Sequence, residues 1–216
     1  FYGAENFNQP IGNWNVSKVT NMNHTFDGAK KFNQDISKWD VSNVEKMASM
    51  FRNAESFNKP LEAWGNKVSK VQEMQYMFSG AQKFNQPLKS WKTSSVTNME
   101  SMFSNSAFNY DISSWDVSKV TNMKSMFYHS PFNQYIGDWN VSNVTNMRAM
   151  FSHAESFNQD IRKWDVSKVT DMTIMFSGAV KFNQNLDSWN VSSVMKMGSM
   201  FEGATTFNGS INSWDV

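Results

Sequence analysis

Cysteine is absent from the 216 residues. Its absence excludes disulfides, zinc ribbons and thiol catalysis together, and leaves the compartment open, because a large repeat core needs no disulfide staple. A net charge is nearly missing as well. Twenty Lys and Arg stand against 19 Asp and Glu, for a formal net charge of +1, so no strong field recruits nucleic acid or an anionic membrane. The chain has no basic block, no acidic tail and no apolar run long enough to span a bilayer. No signal peptide of the basic–apolar–small kind is visible. The chain opens in mid-motif at Phe1, which leads us to expect a segment of something longer. Leu, Ile and Val are thin for a protein with a core.

What is abundant is 9 Trp, 18 Phe and 16 Met, a bias that a small template copied many times would produce. Phe-Asn begins units at Phe7, Phe32, Phe57, Phe84, Phe108, Phe132, Phe157, Phe182 and Phe207, with steps of 25, 25, 27, 24, 24, 25, 25 and 25. Every Trp follows one of these Phe residues by seven positions, from Trp14 to Trp214. The remaining Phe residues form a second column from Phe1 and Phe26 to Phe201, and fifteen of the sixteen Met fall in two columns such as Met47 and Met50. The unit reads F-N-x-x-[IL]-x-x-W-x-V-S-x-V-x-x-M-x-x-M-F-x-x-A. The long step places two extra residues near Gly65–Lys67, where a bulge or wider turn belongs.

Two periods alternate inside each unit. Trp14-Asn15-Val16 is apolar, polar, apolar, the pattern of a short strand, while Val19, Met22, Phe26 and Ala29 step by three and four like one face of a helical turn. These features predict an α/β repeat solenoid over residues 1–216, a single domain of about eight and a half repeats. Each repeat would be a leucine-rich-repeat-like right-handed coil with one short parallel strand and one short helix or 3-10 turn. A lone coil cannot bury its Phe, Trp and Met, and a neighbour on each side can.

The unit F-N-Q-D-I-x-x-W-D-V-S-x-V-T-x-M-x-x-M-F-x-x-A resembles the repeat of a Mycoplasma-type lipoprotein family of unknown function. It is also similar to the BspA-type leucine-rich repeats of bacterial surface proteins, whose V-T-x-I-x-x-x-A-F-x-x-C segment matches Val19 through Phe26 and Ala29 with Met for Ile and Ala for Cys. The resemblance implies a surface-exposed or secreted protein with an adhesive or partner-binding role, and it supplies no catalytic residues.

Among the columns, Trp and Met read as core rather than as a stacking platform or a soft-metal groove. The Asn after each Phe reads as a ladder bonding to turn backbone, and the Ser row from Ser17 to Ser192 as caps of the following turn. The candidate partner-binding row lies between Trp and Val: Asn15, Asp40, Asp116, Asn140, Asp165, Asn190 and Asp215, broken by Lys92. Strand alternation points it outward, and stacked carboxylates there would repel unless a basic partner or a cation relieved them. The ligand spacing of a calcium loop is absent.

The three histidines, His24, His129 and His153, lie in different coils, with no carboxylate at the same position in neighbouring repeats. No phosphate loop, metal-ligand pair or nucleophile elbow occurs, so no catalytic, metal or cofactor residues are assigned. The expected function is therefore a non-enzymatic interaction or adhesion module at the cell surface or outside the cell. Its partner would be a protein or other extracellular macromolecule, and it has no membrane span. The alternative is a structural protein that assembles head-to-tail through uncapped ends. Ice or mineral binding is set aside because no threonine ladder is found.

Overall fold

Each repeat closes on itself through tight turns. The computed structural model describes residues 1–216, and its only helical element is a 3-10 helix over Glu62–Val68. Strand content is reduced to single parallel bridges, running from Asn21 to Lys46, Glu73, Asn98, Asn122, Asn146, Asp171 and Lys196. The α/β solenoid of leucine-rich-repeat type, with a parallel strand and a short helix in each unit, does not form. Both of its expected elements are replaced by consecutive turns.

The hydrogen bonds give the reason. From Met47 to Ala54, alternate residues bond in different directions. Met47, Ser49, Phe51 and Asn53 donate their N–H to Glu73, Gln75, Met77 and Ser79 of the next coil at 2.7–3.0 Å. Met50, Arg52 and Ala54 donate to the carbonyl three residues back at 3.1–3.2 Å. A helix would direct every one of these groups along its own axis. Two columns with left-handed φ keep the helix from forming. One contains Ser49, Tyr76, Ser101, Ser125, Ala149, Ile174 and Ser199, and the other, four residues on, contains Gly28, Asn53, Gly80, Asn105, His129 and His153. A positive φ at the third position of a turn is what a type II turn requires. Each such residue carrying a Cβ costs roughly 1–2 kcal/mol, offset by the bonds the turn makes along the stack.

The apolar columns nevertheless point inward. Met47, Met50, Phe51 and Ala54 are all fully buried, because overlapping turns bring the same residues to one side as a helix would. Phe51 stacks on Phe57 at 4.1 Å and on Phe78 of the next coil at 5.4 Å. Trp64 stacks on Trp91 at 6.1 Å. From Trp39 to Trp214, each indole N–H donates to the Ile or Leu carbonyl of the preceding coil at 2.9–3.3 Å. The tryptophans are therefore core. Trp14, in the first coil, is the exception at 53% exposure.

The expected Asn ladder is complete. Each Asn side-chain oxygen accepts the backbone N–H of the equivalent Asn one coil on, from Asn8–Asn33 to Asn183–Asn208, at 2.7–3.0 Å. Steps of irregular length are absorbed locally. The two extra residues of the long step fall in the 3-10 helix, where Gly65 takes φ 22°. In the short steps Ser106 and Ser130 stand in the Ala column. Their hydroxyls accept the N–H of Phe108 and Phe132 at 3.4 and 3.2 Å, a bond that the Ala carbonyl takes elsewhere, as Ala54 does from Phe57.

Candidate functional site

All seven members of the row between Trp and Val are exposed. The outward direction is as expected, but a turn rather than a strand produces it. The side-chain oxygens of Asn15, Asp40, Asp116, Asn140, Asp165 and Asn190 accept the N–H of the Ser two residues on at 3.0–3.2 Å. This is the Asx turn that Asn and Asp favour. The roles of the two rows are thus reversed: the Asn/Asp residue caps, and the Ser backbone is what it caps. Asp215 is exposed as well.

The expected repulsion along this row does not arise, for two reasons. No two consecutive coils carry Asp: Asp116 lies between Lys92 and Asn140, and Asp165 between Asn140 and Asn190. At a stacking distance of about 4.8 Å per coil the carboxylates are roughly 10 Å apart. Hydrogen bonds from Ser42, Ser118 and Ser167 also hold Asp40, Asp116 and Asp165 below the ordinary carboxylate value, so the row remains anionic without a bound cation.

A threonine ladder is present after all. Thr97, Thr121, Thr145 and Thr170 occupy one column, and each donates its hydroxyl to the carbonyl of the preceding member, or of Gln72, at 3.1–3.3 Å. These hydroxyl protons are directed at the stack's own backbone rather than at solvent.

Three polar clusters escaped the sequence reading, and all join residues about one repeat apart. Buried Asp27 accepts from Arg52 Nε at 3.0 Å and pairs with its Nη2 at 2.8 Å, while His24 Nδ1 lies 2.8 Å from the same carboxylate. Glu100 accepts from Tyr76 at 2.6 Å, Lys124 at 2.9 Å and Asn122 at 3.1 Å. Desolvation and the Glu100 bond push the Tyr76 phenol up to about 12. His129 and His153 stack at 4.3 Å with their planes 4° apart, and Tyr128 stands edge-on to both. Burial first, and the neighbouring His153 second, lower the His129 pKa. Spacings of 24 and 25 between polar residues were the signal for all three clusters.

No helix is long and apolar enough to cross a membrane. No curated protein and no solved structure matches the chain. A family model does match, in three tandem stretches over residues 1–67, 65–141 and 129–216. The chain therefore belongs to the family described as Mycoplasma protein of unknown function, DUF285.

Proposed function

We propose that this chain is a non-enzymatic interaction or adhesion module, exposed on a cell surface or secreted, which binds a protein or other extracellular macromolecule through the row from Asn15 to Asp215. The observation that carries this reading is the division of labour within six of the seven side chains of the row. One oxygen accepts the Ser N–H, which restrains the side chain and leaves exposed carboxylates at Asp40, Asp116 and Asp165. At Asn15, Asn140 and Asn190 the amide N–H group takes that place. The row thus offers restrained acceptors alternating with donors, and a preorganised surface loses little side-chain entropy on binding. The inward columns tolerate no such variation, because each coil must continue its neighbours' stacks.

The test is binding of the whole chain to immobilised extracellular-matrix proteins and intact cell surfaces, beside a variant combining D40N, D116N and D165N. Asn already serves the same turns in this chain, so the variant keeps its fold while losing three outward charges. A tenfold or greater loss of affinity with an unchanged melting temperature supports the reading. Unchanged binding, or turnover of a substrate by the chain, overturns it.

A further inference from the structure

We propose that His129 and His153 form a binding site for a late first-row divalent cation of the zinc or copper class. The two residues are 24 positions apart and occupy the same column of adjacent coils, so the stacking of the repeat brings the imidazoles together. The column is otherwise Gly or Asn, at Gly3, Gly28, Asn53, Gly80, Asn105, Gly178 and Gly203. Histidine stands there twice in succession, with φ of 49° and 55°. A left-handed backbone is uncommon for any residue with a Cβ, and His, like Asn, enters it more readily than most.

The availability of the nitrogens supports a site. None of the four ring nitrogens of His129 and His153 makes a hydrogen bond within the protein, whereas His24, the third histidine, is held by Asp27. The two rings line a small cleft with Ser130, Pro131, Glu155 and Ser156, and the Glu155 carboxylate is near enough to act on His129 electrostatically. Neutral imidazole is the commonest protein ligand for zinc and copper.

The geometry needs both rings to reorient. An ion bound at about 2.0–2.1 Å from one nitrogen of each ring, in tetrahedral arrangement, sets those nitrogens about 3.4 Å apart. The ring centroids lie 4.3 Å apart and the planes are parallel, so the in-plane lone pairs run side by side, and each ring must tilt by roughly 40° for one nitrogen of each to point at a shared ion. No hydrogen bond resists that tilt. No group of three or more His, Asp or Glu side chains converges in the chain, so the ion would keep water in its remaining positions.

Isothermal titration of the chain, without a polyhistidine tag, by Zn2+ alone at pH 7.5 tests the proposal. The variants are H129N, H153N and the double variant, all safe for the fold because Asn53 and Asn105 occupy this column with the same backbone. H24N is the control. The expected result is one equivalent bound, weakened at least tenfold by either single substitution and unaffected by H24N. Three results overturn the site: no binding by the parent chain, undiminished binding by the double variant, or a loss confined to only one of the two histidines.

Discussion

Trp115 and Trp14 occupy the same column of the repeat, and the structure assigns them different energies. Trp115 is 3% exposed, lies 6.4 Å from Trp91 and 6.1 Å from Phe103, and donates its indole N–H to Leu88 O at 2.9 Å. Truncation to alanine removes on the order of 200 Å² of buried aromatic surface. At about 25 cal/mol per Å² that is about 5 kcal/mol, near the top of the range of about 3–5 kcal/mol for such replacements. The lost indole bond adds little, because Leu88 O still accepts the backbone N–H of Trp91 at 3.1 Å. Trp14 is 53% exposed and its indole has no partner in the chain, so about 100 Å² is lost and W14A costs about 2.5 kcal/mol by the same area rule, half as much. Urea denaturation followed by circular dichroism measures both. The slopes must be compared as well as the midpoints, because a stack of coils can unravel from one end. Equal costs for the two substitutions would refute the assignment of the Trp column to the core.

Other consequences are local. N133A removes the acceptor of Asn158 N–H at 2.9 Å and of Gln159 Nε2 at 3.1 Å and should cost about 1–2 kcal/mol. N133D, which keeps the oxygens, should cost much less, and thermal melts separate the two. G80A meets both a φ of +72° and the side-chain oxygen of Asn53 where the new Cβ would lie, so it should destabilise by more than about 1 kcal/mol in the same assay. Tyr76 keeps its proton to about pH 12 when folded. Its contribution to stability is therefore complete below the ordinary phenol value near 10 and is lost as pH rises through about 12. An ultraviolet titration of the five tyrosines should show a step near 12 from Tyr76, with Tyr135 raised as well by its bond to Asp138, and Y76F should abolish the step near 12.

The columns were legible because aromatic spacing is a packing constraint. A Phe at every 24 to 27 residues must meet its equivalents, and both Phe columns, the Trp column and the Asn ladder are found along the stack. The element type was not legible. Val19, Met22, Phe26 and Ala29 fit the period of a helix, and overlapping turns bury the same positions, so periodicity cannot separate the two. The deciding property is φ at Ser125, Ala149 or Ile174, residues with no preference for a left-handed backbone. They adopt it because the neighbouring coils supply the bonding partners, a tertiary constraint invisible in one repeat. For the outward row, the direction and exposure were legible from alternation. The capping role needed the Ser N–H to be placed, and the polar clusters needed residues one repeat apart to be compared by column.

The Met-x-x-Met-Phe segment of each repeat is a run of left-handed turns and not a helix. The most direct test compares the stabilities of S125G and S125A. Ser125 has φ 54° and no side-chain hydrogen bond of its own. With a left-handed backbone, glycine escapes the Cβ penalty, and S125G should exceed S125A in stability by roughly 1 kcal/mol. In a helix, alanine would be favoured over glycine by about the same amount. A more stable S125A would contradict the turn architecture.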